Sequence, residues 1–175
     1  MALSGLFITA DSTSVIPVIR VFADIGDEQS IAQSLSTFSA HLKALKRITD
    51  DAKEGDLVII DEIGAGTDPI EGASLGIAII KYLQKKNIFS LVSTHYTEIK
   101  KFAITDENIV SAAMEFDEEK LLPTYELRYG SAGKSNAFAI ARRINLNEDI
   151  IEVTVSVTAK FPGQKKAVDI AYYKQ

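Results

Sequence analysis

Residues 57–94 predict a strand, a helix and a second strand in close succession. The run 57–60 is wholly apolar, 71–86 carries apolar residues at helical spacing, and 88–94 contains a second apolar run. Such a crossover joins parallel strands, because strands that run in the same direction need a connection of about a dozen residues or more. It is nearly always right-handed. We therefore expect an α/β fold with a mostly parallel sheet and flanking helices.

The remaining segments continue the alternation of strands and helices, with no internal repeat. Strand-like or extended patterns occur at 5–10, 17–25, 109–117 and 121–129. A long helix is predicted over 29–48 and a shorter one over 137–144, where Arg142 and Arg143 suit the carboxyl end of the helix dipole. Asn147 can cap a further short helix.

The composition describes one globular domain, or most of one. The chain has 175 residues, of which 46% are hydrophobic, and its formal net charge is −5. Because the bulk surface is acidic, we expect any nucleic-acid contact to lie elsewhere. The chain has no cysteines, which excludes disulfides and thiolate metal ligands. With no apolar run of about 20 residues and no signal-peptide pattern, we expect a soluble cytoplasmic protein without membrane contact.

Two adjacent carboxylates follow the first apolar strand, within the sequence LVIIDEIGAGTDP at 57–69. Asp61 stands at the strand end, where a carboxylate can hold Mg²⁺ through water. Glu62 comes one residue later, so it points elsewhere and can orient the water that attacks a γ-phosphate. This is the layout of a Walker B strand. The alternative is a buried strand that ends in a solvated acidic turn, and the GAGTDP run that follows favours Walker B over it.

Two more polar motifs are predicted at the same edge of the sheet. The run GAGTDP at 64–69 has two glycines that permit a turn, and Asp68 can bond nearby backbone before Pro69 starts the next helix. The sequence STHY at 93–96 ends the next strand, so His95 emerges beside the acidic strand end, where α/β sheets bind ligands. A lone histidine is more often structural, but this position favours a phosphate sensor.

A cluster of hydroxyl side chains, SLSTFS at 34–39, opens the predicted long helix. Hydroxyls and free backbone N–H groups at a helix start can bind an anion. An ordinary helix cap, or hydroxyls bonded to the preceding turn, explains the cluster more simply. By itself the cluster is weak support for an anion site.

Together and in this order, the four motifs resemble those of the ABC-type ATPases. Within that class, their amino-acid sequences are similar to those of one family. The similar segments are VFADIGDEQSIAQSLSTFSAHL, LVIIDEIGAGTDPIEGASLGIAII, STHYTEIKKFA and GSAGKSNAFAIARRINL. They resemble the carboxy-terminal ATPase segment of the MutS proteins, and the MutS-two lineage rather than the mismatch-recognising one. The resemblance covers about residues 5–151 and implies a partial P-loop NTPase fold of the ABC type.

The resemblance implies ATP and Mg²⁺ as cofactors and gives each motif a role. It implies that Asp61 and Glu62 are the Walker B pair and that His95 is the switch histidine near the γ-phosphate. The implied D-loop at the dimer interface consists of Gly64, Gly66, Thr67 and Asp68. Ser36, with Thr37, matches the signature serine that approaches ATP bound to the opposite subunit. A homodimer is implied, because ABC-type sites form between one protomer's phosphate loop and the other's signature helix.

The sequence departs from the family pattern at the phosphate loop. Gly133, Lys134 and Ser135 form a Gly-Lys-Ser run, yet the residue five before Gly133 is Arg128 rather than the glycine of a Walker A loop. We interpret this run as a structural turn into a helix. In family order the Walker A loop lies upstream of residue 5, so we expect the chain alone to be inactive as an ATPase.

The resemblance also implies a domain boundary and partners. Residues 5–151 are expected to form the carboxy-terminal part of the ATPase domain, and 152–175 a divergent, poorly ordered tail. Complete members are expected to bind branched or mismatched DNA through regions outside this chain and to undergo ATP-driven changes of the dimer there. They are also expected to suppress recombination, to carry a nuclease-like domain and in some cases to act on ribosomes. One alternative is a non-catalytic dimerisation or interaction module that binds no nucleotide alone. Another is a different ABC-type ATPase, although those carry Leu-Ser-Gly-Gly at the signature.

Overall fold

A computed structural model describes residues 4, 6–8, 15, 17–26, 34–117, 119–120, 122–131, 133 and 137–158. The chain forms two compact units, Met1–Asn108 and Ile109–Gln175. This division falls inside the 5–151 segment that we expect to belong to one ATPase domain, and that boundary stays a prediction. Among the described helices, none is long and apolar enough to cross a membrane.

The first unit alternates strands and helices. Its elements are β1 (Val21–Asp24), α1 (Ser34–Asp51), β2 (Leu57–Ile60), α2 (Pro69–Lys85), β3 (Phe89–Val92) and α3 (Thr97–Thr105). The strands form a parallel sheet in the order β1-β2-β3, with Val21 opposite Leu57 and Leu57 opposite Phe89. The prediction of an α/β fold with a parallel sheet and flanking helices is confirmed. Residues 5, 9, 10 and 29–33, which belong to predicted elements, lie outside the described part of the chain.

Both crossover helices lie on one side of this sheet. Two parallel connections that step in the same direction place their helices on the same face when both are right-handed. On that face Val58 and Ile60 are fully buried, and Ile60 lines a small cavity together with Leu45 of α1 and Ile79 of α2. The core of the first unit therefore lies between β2 and these two helices.

The opposite face of the sheet is apolar and open to solvent. Val21, Phe89 and Leu91 are 57%, 47% and 52% exposed, and Leu57 and Ile59 are half-buried between them. Parallel sheets are normally covered on both faces. The described part of the first unit thus leaves one sheet face without the layer that such a sheet ordinarily has.

Helix α3 was missed by the sequence interpretation. It spans Thr97–Thr105, and its amino end at Tyr96 has no side-chain cap. The short length and the uncapped start give little local signal, whereas Ile99, which is buried in the first unit, anchors the helix. Tertiary packing rather than local sequence fixes this element.

The second unit contains a hairpin and two helices. They are β4 (Ala112–Asp117), β5 (Leu122–Tyr129), α4 (Ala137–Arg143) and α5 (Glu148–Thr158). The strands pair antiparallel with a register shift between Met114 and Phe116. Asn147 Oδ1 accepts a hydrogen bond from Asp149 N–H at 2.9 Å, which confirms the predicted cap. Helix α5 continues across the expected boundary after residue 151, while 159–175 lie outside the described residues.

Candidate Walker B site

The two predicted catalytic carboxylates lie directly beyond β2, at the carboxyl edge of the parallel sheet. Asp61 and Glu62 are both exposed. The Asp61 N–H donates to the carbonyl oxygen of Asp24, the last residue of β1, at 2.8 Å, so the edge stays aligned one residue past the strand. Glu62 then adopts a φ of 48°, in the left-handed region that a residue with a side chain rarely occupies. The backbone therefore changes direction between the two carboxylates.

Ser93, the residue after β3, contacts both members of this pair. Its hydroxyl donates a hydrogen bond to Asp61 Oδ1 and accepts one from the Glu62 N–H at 2.9 Å. Its backbone carbonyl accepts from the Ile63 N–H at 3.1 Å. The sequence interpretation included Ser93 in the STHY motif but gave it no role. Its position at the end of the strand next to β2 could have predicted that Ser93 lies beside the carboxylate pair.

The glycine turn that follows is packed tightly against two helices. Gly64 is buried with a φ of 87°, and a Cβ there would lie 2.5 Å from the carbonyl oxygen of Gly72 in α2. Gly66 has a φ of 90°, and its Cβ would lie 3.3 Å from Phe38 Cβ in α1. Glycine is required at both positions by conformation, and at Gly64 by space as well. Thr67 is half-buried at the end of the turn.

Asp68 caps α2. Its Oδ1 accepts hydrogen bonds from the N–H groups of Ile70 at 3.0 Å and Glu71 at 3.1 Å, and Pro69 occupies the first turn. The prediction that Asp68 bonds neighbouring backbone before Pro69 begins a helix is confirmed. The Asp68 side chain is exposed, so this cap leaves it at the surface.

His95 lies two residues beyond Ser93 and is exposed. Its ring centroid is 4.5 Å from that of Tyr96, which in turn borders the space beside Gly64 and Gly72. The structure thus gathers three predicted motifs, the acidic pair, the glycine turn and the STHY segment, around the carboxyl ends of β2 and β3.

Ser36 and Thr37 belong to the first turns of α1 as the structure describes it, and their side chains lie outside the described residues. The neighbouring residue Phe38 is informative, because a Cβ on Gly66 in the glycine turn would lie 3.3 Å from Phe38 Cβ. The start of α1 therefore lies next to the predicted D-loop.

A histidine and an aspartate form a further contact that the sequence interpretation missed. His41 Nδ1 of α1 lies 3.0 Å from Asp24 Oδ2 at the end of β1, and both are largely buried. They border a cavity of about 10 Å³ that Asp61 and Glu62 also line. A cavity of this size holds about one water molecule. It is far too small for a nucleotide, so it cannot be the nucleotide site itself.

A parallel sheet with paired carboxylates at the end of a central strand, followed by a capped glycine turn, is the arrangement of a nucleotide-hydrolysing α/β domain. The fold and this edge together define the class as an ATPase-type domain. The profile of a family described as MutS domain V matches residues 1–162. The chain belongs to this family. It corresponds to the carboxy-terminal ATPase region of proteins in the MutS2 branch.

The relatives that support this assignment carry the name of a nuclease. The chain is 54% identical over 153 residues to "Endonuclease MutS2" of Clostridium acetobutylicum, a match that covers 87% of this chain and 19% of the relative. Proteins of the same name from Clostridium novyi and Clostridium botulinum are 52% and 53% identical, again over 87% of this chain and 20% and 19% of theirs. The chain thus spans about a fifth of the length of these relatives.

Proposed function

We propose that this chain supplies the Walker B part of an ATP site in a MutS2-like protein of DNA repair and recombination control. The observation that carries the proposal is the arrangement of Asp61 and Glu62. They are adjacent, exposed carboxylates at the carboxyl edge of a parallel sheet, and the left-handed backbone of Glu62 turns the chain between them. This arrangement suits a division of labour in which Asp61 serves the metal and Glu62 the attacking water.

The donor set at this edge suits Mg²⁺. Mg²⁺ keeps several water ligands and usually binds one or two carboxylates together with substrate phosphates. Asp61 offers a carboxylate at an open edge, where it would hold those waters. Bound Mg²⁺ would neutralise charge on the β- and γ-phosphates of ATP. Glu62 would orient the attacking water, and His95 would contact the γ-phosphate from the next strand.

The proposed site is completed at a dimer interface. Asp68 and His95 are exposed beside the carboxylate pair, as expected for residues that meet a second subunit. Gly64, Gly66, Thr67 and Asp68 would form the D-loop at that interface. Ser36 and Thr37 would approach ATP on the opposite subunit. Because the sequence has no Walker A loop, we expect the isolated chain to show no appreciable ATP turnover.

The wider activity is a proposal for the complete protein. Its partners would be a second copy of itself and branched or mismatched DNA, bound through regions outside this chain, with ribosomes as a further target. We expect it to work in the cytoplasm. The net charge of −5 on this chain disfavours binding to DNA, which supports a DNA-binding surface in another part of the complete protein.

A second candidate is a non-catalytic dimerisation module that retains the half-site but binds no nucleotide. The lack of a Walker A loop in this sequence favours it for the chain alone. The two candidates differ in the complete protein, which would bind and hydrolyse ATP only under the first.

The proposal is tested in a protein that we call the complemented protein. In it, this chain replaces the segment of the Clostridium acetobutylicum relative to which it is 54% identical. Its Ser36→Ala and Glu62→Gln variants are purified separately and then mixed to form heterodimers. If Ser36 serves the opposite subunit, one composite site carries both lesions and the other carries neither. The heterodimer should then recover up to about half of the wild-type turnover, provided that the sites act independently.

Two results would contradict parts of this proposal. If heterodimers form but recover no turnover, Ser36 does not act in trans on an independent site. If the unmutated complemented protein folds and dimerises but binds no ATP, the chain is the non-catalytic module instead. The two variants carry different affinity tags, so that heterodimers are isolated by purification on both tags before turnover is measured.

A further inference from the structure

We propose that Ser93 is a positioning residue for the Walker B pair, a role that rests on the proposed ATPase function. Its hydroxyl is the group that contacts both residues of the pair, through the Asp61 side chain and the Glu62 backbone. Ser93 itself is not placed to react with a nucleotide in this proposal. It would act by fixing the two carboxylates in their separate directions.

The hydroxyl group is chemically suited to both contacts at once. A serine hydroxyl has one hydrogen to donate and two lone pairs that accept. It donates that hydrogen to Asp61 Oδ1 and accepts the Glu62 N–H at 2.9 Å. Alanine at this position could make neither hydrogen bond, whereas threonine could make both. Ser93 is exposed, so the extra methyl group of threonine has room.

The contact to Asp61 orients its carboxylate. With Oδ1 held by Ser93, rotation about the Asp61 side-chain torsion is restricted and Oδ2 keeps a defined direction. Groups that orient a metal-binding side chain in this way typically change metal affinity or activity by about 10-fold to 100-fold when they are removed. We therefore expect Ser93 to influence the Mg²⁺ requirement of the complete enzyme.

The contact to Glu62 supports an unfavourable backbone conformation. A glutamate with a φ of 48° persists only where surrounding contacts hold it. Here Ser93 Oγ accepts from the Glu62 N–H, and the Ser93 carbonyl accepts from the next N–H, that of Ile63, at 3.1 Å. The side-chain bond is lost on substitution by alanine, but the backbone bond is not. Ser93 thus joins the strand that leads to His95 to the turn that carries Glu62.

The first test measures amide hydrogen exchange by NMR in the chain itself. Ser93→Ala removes the acceptor of the Glu62 N–H, so this amide should exchange about 2-fold to 10-fold faster, in line with the loss of one net hydrogen bond. The Ile63 amide, bonded to the Ser93 backbone, should change less. Ser93→Thr should restore slow exchange at Glu62. The control is Ser90→Ala, three residues earlier and on β3. Unchanged exchange at Glu62 in Ser93→Ala, or no rescue by Ser93→Thr, would overturn the proposal.

The second test measures ATP turnover of the complemented protein as Mg²⁺ is titrated. Ser93→Ala should lower kcat and raise the Mg²⁺ concentration for half-maximal rate by about 10-fold, while Ser93→Thr stays near the wild-type values. A Ser93→Ala profile that matches the Ser90→Ala control would overturn the positioning role. Glu62→Gln is assayed in parallel. If Glu62→Gln abolishes turnover while Ser93→Ala matches the control, only the role of Ser93 fails. If Glu62→Gln has no effect, the proposed function fails.

Discussion

Gly64 and Gly72 pack backbone against backbone, so that a Cβ on Gly64 would lie 2.5 Å from the Gly72 carbonyl oxygen and 3.1 Å from a ring carbon of Tyr96. This contact joins the turn after the carboxylate pair to the start of α2. Tyr96, the residue after His95, also packs beside these two glycines. The position of the acidic edge therefore depends on two glycines, Gly64 in the turn and Gly72 in the helix.

Gly64→Ala should lower the free energy of unfolding by about 2–5 kcal/mol, because it combines a left-handed backbone with a steric clash. Gly26→Ala is the matched control, since Gly26 has a φ of 106° but a Cβ there would have no atom of the described residues within 4 Å. At Gly26 the substitution introduces backbone strain without the clash, so the free energy of unfolding should fall by about 1–2 kcal/mol. Urea denaturation of both variants measures the difference. Equal losses would show that the contact with Gly72 contributes nothing.

Asp56 should make stability depend on pH in the acid range. Its carboxylate is buried, and the Arg20 guanidinium donates from Nε to Oδ1 at 3.1 Å and from Nη2 to Oδ2 at 2.7 Å. These hydrogen bonds, together with one from the Lys53 N–H to Oδ2 at 2.9 Å, hold the pKa of Asp56 below its ordinary value. The folded state therefore binds this proton less readily than the unfolded chain does. The stabilisation is fully present above the unfolded pKa of about 3.9 and is lost as the pH falls through the lower, folded value.

The measurement is the free energy of unfolding of wild type and Asp56→Asn between neutral and acid pH. The gap between them should be constant near neutrality and should shrink below about pH 4. Asp50→Asn is the control, because Asp50 pairs with Lys46 at the surface, where such pairs contribute little to stability. A gap for Asp56→Asn that stays unchanged down to the lowest pH would contradict the assigned role of the Arg20 pair.

The open sheet face should make the isolated chain self-associate. Leu91, 52% exposed on β3, lies on this apolar face, and its replacement by lysine puts a charge where a second copy would pack. Sedimentation velocity should show association of the wild-type chain that Leu91→Lys reduces. Ile104→Lys is the control, because Ile104 is 56% exposed but lies on α3. Equal effects of the two substitutions, or a monomeric wild-type chain, would count against association through the sheet face.

The sequence predicted the crossover well because its physical signals are local. An unbroken apolar run gives β2, and the Asp68-Pro69 start gives α2, whose buried residues repeat with a helical period. The edge that carries Asp61, Glu62 and His95 followed from the same rule, since parallel strands end on one side of the sheet. The class of protein, in contrast, followed from the resemblance of these motifs, taken in order, to those of the ABC-type ATPases and the MutS proteins.

Other features depend on contacts between distant residues, which periodicity does not reveal. The hydrogen bonds of Ser93 to Asp61 and Glu62 span 32 and 31 residues, and the contact of His41 with Asp24 spans 17. Helix α3 has no capping side chain and owes its place to Ile99. The left-handed Glu62 was equally hidden, because glutamate carries no local preference for that conformation.

The most direct measurement is single-turnover ATP hydrolysis by the complemented protein with Glu62→Gln, alongside ATP binding. The neutral isostere leaves Asp61 to organise Mg²⁺, so we predict that ATP binding is retained while hydrolysis falls by about 100-fold or more. Glu71→Gln, which changes an exposed glutamate in the first turn of α2, should hydrolyse ATP at the wild-type rate. Hydrolysis by Glu62→Gln at the rate of the Glu71→Gln control would contradict the assignment of Asp61 and Glu62 as a Walker B pair.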